Sequence, residues 1–227
     1  MSIHTRLYRS LLFRLASRAV LMTLLVPGSI TYSHAETIML EPQGEYASID
    51  TRLAMQTMKE LTQGTDQERV QTIRAVMAAP QNYAPPVFYV LSSLLFEAGL
   101  KDDAAFWFYA GQLRARFDAN RCNDVSARSA AATLNERYGA PINQYAFQDK
   151  VKLETLIEKV VKWDRDTPHN YDHRWINLSG MGATTSAMGG AADATPLSLP
   201  ETQWAAIAEK TRTDYLAGLR EALNKAQ

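Results

Sequence analysis

Residues 86–118 read PVFYVLSSLLFEAGLKDDAAFWFYAGQLRARFD, the densest aromatic stretch of the chain. Phe88, Leu91, Leu94 and Leu95 recur at three- and four-residue steps, which places them along one face of a helix. Pro86 suits the first helical turn, where its missing amide would have had no partner. Gly99 fits the end of that helix, because glycine takes the left-handed conformation without a steric penalty. Lys101-Asp102-Asp103 makes a polar corner. A second helix then presents Ala104, Phe106, Trp107, Phe108, Ala110, Gly111 and Leu113, and runs on through Arg114, Arg116 and Phe117. Small residues at 104, 110 and 111 let a neighbouring helix approach closely, and the aromatics fill the space around them. The stretch predicts a helical hairpin.

Outward from this hairpin the period stays helical. On the N-terminal side, signals start at about Tyr46, and Ile49, Leu53, Met55, Met58 and Leu61 form an apolar stripe. Gln63-Gly64 stops that helix. Thr65-Asp-Gln-Glu68 has the form of a capping box, in which the Thr hydroxyl and the Glu carboxylate each satisfy an orphan amide. Val70, Ile73, Val76 and Met77 give the next helix its buried face, and Pro80 ends it. On the C-terminal side Ala119–Asn123 is a break. Asp124 or Ser126 can cap a helix to Arg137 with Ala130, Ala131, Leu134 and Tyr138 on its apolar side. Gly139 is expected to end it and Pro141 to open a long helix reaching Asp164, with Ile142, Tyr145, Phe147, Val151, Leu153, Leu156, Ile157, Val160, Val161 and Trp163 inward. Residues 167–181 have no regular period. Residues 182–195, rich in Gly, Ala, Thr and Ser, cannot bury enough apolar area to offset chain entropy and read as a flexible loop. Ser198-Leu-Pro-Glu201 reads as a second capping box, before a final helix with Trp204, Ile207, Ala208, Thr211, Tyr215, Leu219 and Ala222 on one stripe. No strand alternation is present. The expected fold is all-α, an irregular antiparallel helical bundle of about seven helices in a single domain over 46–227.

The N-terminus has a separate grammar. Residues 1–35 hold Arg6, Arg9, Arg14 and Arg18 and no acid, then an apolar run over 19–26, the break Pro27-Gly28, and Ser33-His34-Ala35. This is the layout of a secretory signal peptide cleaved after Ala35, and the run is far shorter than the ~20 apolar residues a spanning helix needs. Residues 36–45 read as an extended leader. The expected location is therefore periplasmic or secreted, the alternative being an anchor left uncleaved in the inner membrane. The full chain has 24 basic and 24 acidic side chains, so loss of those four arginines leaves a net of four negative charges. A mildly acidic surface argues against nucleic acid. Cys122 is the only cysteine, so no internal disulfide can form and the core must hold the fold.

The central hairpin resembles a tetratricopeptide or Sel1-like repeat over roughly residues 86–116. Phe88, Leu91, Leu95, Gly99, Ala104, Phe108 and Gly111 stand in that family's order of large, small and turn residues, and Ser92 stands where it favours Gly or Ala. A more degenerate unit sets Gly64 against Gly99, with Leu53 and Ile73 overlying Phe88 and Phe108. Glu60 and Arg69 depart from the pattern where Leu95 and Ala104 keep it. The resemblance implies contact with another protein and no catalysis.

Two groups of residues are candidates for a site. Trp107 and Tyr109, with Arg114 and Arg116, could bind a peptide or ligand, although aromatics at helical spacing commonly serve a core. Pro168-His169-Asn170-Tyr171-Asp172-His173-Arg174-Trp175 carries two histidines four apart, which on one helical face could hold a metal with Asp172 or Asp166. The competing reading is a structured loop whose Tyr171 and Trp175 plug the core. No cofactor motif is present. The expectation is an exported protein, not an enzyme, that binds another protein as an envelope adaptor or assembly factor. The alternatives are an immunity protein that blocks a toxin, an enzyme using metal or acid–base chemistry at His169–His173, and an envelope structural protein contacting its neighbours through 182–195.

Overall fold

The computed structural model describes residues 41–190 and 195–225. The signal layout, most of the leader and part of the Gly-rich stretch lie outside the described residues. Among these residues the fold is an all-α bundle. Its α-helices are α1 (Arg52–Gln63), α2 (Asp66–Ala78), α3 (Pro85–Glu97), α4 (Lys101–Arg121), α5 (Ser129–Ala146), α6 (Lys150–Asp166), α7 (Met181–Ala187) and α8 (Trp204–Lys225). Short 3-10 turns at Gly44–Ser48, Pro80–Asn82, Val125–Arg128, His173–Ser179 and Glu201–Gln203 connect them. No strand occurs among the described residues, only an isolated bridge between Cys122 and Ser198. None of the described helices is long and apolar enough to cross a membrane.

α4 is the axis of the bundle, and α3, α5, α6 and α8 all pack on it. Pro85 and Pro86 open α3, and Gly99 turns the chain at φ 82°. The hairpin can close tightly because Gly111 has no side chain. A Cβ there would lie 3.1 Å from Phe88 Cβ and 3.2 Å from the Tyr89 ring. Phe88, Leu91, Leu95, Phe108 and Leu113 are removed from water, each worth about 1.5–3 kcal/mol relative to exposure. Tyr89 meets Phe108 edge-on at 5.5 Å, and Trp107 meets Trp163 of α6 edge-on at 5.6 Å. The aromatic ladder thus ties α6 to the hairpin. At α2 the capping box forms as its residues dictate. Glu68 N donates to Thr65 Oγ1 at 3.3 Å, and Thr65 N donates to Glu68 Oε2 at 2.7 Å.

Several boundaries differ from those the sequence suggests. α5 runs straight through Gly139 and Pro141. Pro141 sits on the exposed side, where the carbonyl it leaves unbonded can take water. Gly139 marks a close approach, since a Cβ there would lie 3.0 Å from Phe108 Cζ. The break falls later, where the Asp149 carboxylate accepts from Lys152 N at 2.9 Å and starts α6. Leu53 and Met55 are 48% and 62% exposed, and α1 buries Thr57 and Leu61 instead. The chain near Tyr46 forms a 3-10 turn, with α1 beginning at Arg52. Within the stretch read as a flexible loop, α7 forms and buries Ala183 and Ser186. The second capping box does not form: Ser198 Oγ is engaged by His173 Nε2, and a 3-10 turn leads into α8.

Candidate functional site

Two buried carboxylates join α4 to the segment that follows α6. Asp164, at the end of α6, accepts from Arg114 Nε at 3.1 Å and Arg212 Nε at 2.8 Å, and lies 3.0 Å from His169 Nε2. Asp118, on α4, accepts from Arg121 Nη2 at 2.6 Å, Tyr171 OH at 3.1 Å and Trp175 Nε1 at 2.7 Å. Burial alone would push the Asp164 carboxyl up. The hydrogen bond and charge of His169, with the charges of Arg114 and Arg212, bring it below the usual carboxylate range. Burial pushes the Tyr171 hydroxyl well above its ordinary range, with the Asp118 carboxylate adding to the effect. The guanidinium of Arg114 lies 4.4 Å over the Trp163 ring, and that of Arg121 lies 4.3 Å from the Phe117 ring and 4.6 Å from the Trp204 ring. With three donors on each carboxylate, the cluster is built to hold α4, α6, α8 and the 167–179 segment together.

This network takes up His169 and Arg114, one residue from each candidate group. His169, Asp172 and His173 do not converge. His169 turns to Asp164; Asp172 accepts from Arg174 Nη2 at 2.7 Å and from Asp50 N at 3.0 Å. His173 Nε2 sits 2.8 Å from Ser198 Oγ and its ring meets Trp204 edge-on at 4.6 Å. Asp172 caps a 3-10 turn, so the two histidines never share an α-helical face. Among the described residues no group of three or more His, Cys, Asp or Glu is disposed to hold a metal ion. Burial and the nearby Arg121 charge hold the His173 ring down to about 4, neutral at physiological pH. Tyr171 and Trp175 do plug the interior. Trp107, Tyr109 and Arg114 are core side chains, buried on α4 and closed to a partner. Arg116 alone of that set is exposed, its guanidinium 5.0 Å over the Tyr215 ring.

The surface feature that sequence periodicity does not reveal is a corner built from short turns. Tyr46, Ile49, Ala183 and Leu197, with Leu178 beside them, form a small core separate from the main one. Asp124 is its staple. Its Oδ1 accepts from Ser126 N at 2.9 Å, its Oδ2 accepts from Gly182 N at 3.1 Å, and Met181 N donates to Ser126 Oγ at 2.8 Å. A Cβ on Gly180 would collide with the Asp124 carboxylate, and one on Gly182 with the Tyr46 hydroxyl. Val125, Met181 and Met188, on the short elements around this corner, are 65%, 65% and 73% exposed. Val125 borders a cleft of about 410 Å³ that is also lined by Tyr46, Asn123, Asp124, Asn177 and Leu197, among others. The only sequence signal for it is the Asp124-Val-Ser126 turn and the later run of small residues.

The chain matches no protein-family model, no curated protein and no solved structure.

Proposed function

We propose that the chain is an exported, periplasmic helical protein that acts by binding another protein, as an envelope-associated adaptor or assembly factor. The observation that carries this reading is the corner whose elements expose Val125, Met181 and Met188, with Val125 bordering an open cleft. Large apolar side chains exposed on the short elements that flank a packed bundle suit a contact surface. Methionine suits such a surface because its flexible thioether adapts to a partner's shape. The layout of residues 1–35 supports export, and the repeat-like order of residues 86–116 supports a binding role. The reading assigns no reaction to the chain.

The test uses the chain from Glu36 onward, immobilised and exposed to envelope extracts. A saturable protein partner is expected. Met181→Glu with Met188→Glu is expected to lose it while the circular dichroism spectrum stays helical. Capture of no saturable partner, or equal capture by the variant, overturns the proposal. The identity of the retained protein separates an envelope component from a toxin.

A further inference from the structure

A second cleft, of about 340 Å³, lies between α4, the start of α5 and α8, and is lined by Arg116, Asn120, Arg128, Ala131, Asp214 and Tyr215, among others. Two arginines line it, Arg116 and Arg128. Neither Arg116 nor Arg128 forms an ion pair or hydrogen bond with the described residues, whereas the nearby Asp214 carboxylate is held 2.6 Å from Lys210 Nζ. Asn120 Nδ2 is already committed to Thr211 Oγ1 at 2.9 Å. Arg116 is also held in place. Its guanidinium lies over Tyr215, which is buried and donates its hydroxyl to Gln112 Oε1 at 2.7 Å. A guanidinium fixed by an aromatic face keeps its N–H fork free and loses little entropy on pairing.

We propose that Arg116 and Arg128 form an oxyanion site that receives a carboxylate side chain of the protein partner. The inference rests on the protein-binding reading and deepens it. Guanidinium forks match planar oxyanions in two-point geometry, so the shared chemistry is a carboxylate or a phosphate group. The position favours the carboxylate. Arg128 ends the 3-10 turn that exposed Val125 begins, so the cationic cleft and the apolar corner occupy the two ends of one turn. A partner that covers Val125 carries its neighbouring residues towards Arg128. Arg116 and Arg128 line one cleft with no ion pair among the described residues, so together they favour an acidic group on the partner and steer its approach.

The experiment titrates the chain from Glu36 onward with a capped peptide containing two glutamates, the same peptide with glutamines, and inorganic phosphate. The Nε–H resonances of Arg116 and Arg128 are followed by NMR. The glutamate peptide is expected to shift both, the glutamine peptide neither, and added salt to reduce the effect. Arg116→Gln with Arg128→Gln is expected to weaken capture of the protein partner by about tenfold or more. Arg220→Gln, an exposed arginine ion-paired with Glu154 and Glu158 on α6, is expected to leave capture unchanged. A response to phosphate without one to the glutamate peptide overturns the carboxylate assignment. Equal partner capture by wild type and the double variant overturns the site, while the protein-binding reading stands. A glutamate response with no partner captured by wild type leaves the oxyanion site and removes that reading.

Discussion

Arg114 on α4 donates through Nε to Asp164 Oδ1 on α6 at 3.1 Å, and the two side chains are 0% and 3% exposed. The same guanidinium donates through Nη2 to the Thr167 carbonyl at 3.0 Å, so the pair also fixes where the chain leaves α6. Such a pair contributes little net stability compared with an apolar replacement, because both charges had to leave water. Its consequence is specificity: the end of α6, the His-bearing segment and α8 converge on one carboxylate.

Removing one partner of this pair strands the rest. Asp164→Ala leaves Arg114, Arg212 and His169 facing an uncompensated buried site. A loss of about 3–5 kcal/mol in unfolding free energy is expected, read from urea denaturation. Adding Arg114→Met to Asp164→Ala should cost much less than Arg114→Met alone, because the interaction is already gone. Additive losses would show that the two side chains do not act as a pair.

His173 makes stability depend on pH. Its folded value of about 4 lies below the ordinary 6.5. The unfolded state therefore binds the proton first as pH falls through that interval, and stability rises with pH across it. The contribution is fully present above about pH 6.5 and declines towards pH 4. Allowing for solvent screening at a partly exposed ring, it amounts to roughly 1–2 kcal/mol. His173→Gln, which can keep a bond to Ser198, should flatten the denaturation midpoint between those pH values. An unchanged slope would assign the dependence to other groups.

The turn-built corner should be separable from the main bundle. Gly180→Ala drives a methyl group into the Asp124 carboxylate that staples the corner. A loss of about 1–3 kcal/mol is expected, with amide exchange rising in residues 44–48 and 181–187 while α3 and α4 keep their protection. Uniform loss of protection across α3 and α4 would mean that the corner and bundle unfold as one unit.

Cys122 is predicted to be inert in the native state. The thiol is buried, accepts from Asn177 Nδ2 at 3.1 Å, and is raised above its ordinary range chiefly by burial. Labelling by a thiol-reactive disulfide reagent should proceed only at the rate of opening or unfolding. Fast labelling under native conditions would place the thiol at the surface.

Helical period, the Gly99 turn and the Thr65–Glu68 cap were legible because each is decided within a few residues. Pairings between distant segments were not. Gly139 reads as a stop signal in isolation, yet it is a contact point for Phe108, 31 positions away in the chain. The two histidines look like a metal pair by spacing, yet Asp164 takes one and Ser198 the other. Trp107, Tyr109 and Arg114 have the composition of a binding surface but lie inside, because α3, α5, α6 and α8 close over them.

By itself the sequence determined an all-α chain centred on residues 86–118, since apolar residues at helical steps have one economical way to leave water. It offered Tyr171 and Trp175 as plugs only as one of two readings of their segment. Only the tertiary structure decided which charges are buried and which are free. Arg114 and Arg116, two residues apart on one helix, point one into Asp164 and the other to an open cleft. The helical turn sets the angle between them, but the packing of α6 and α8 around α4 determines which side faces water.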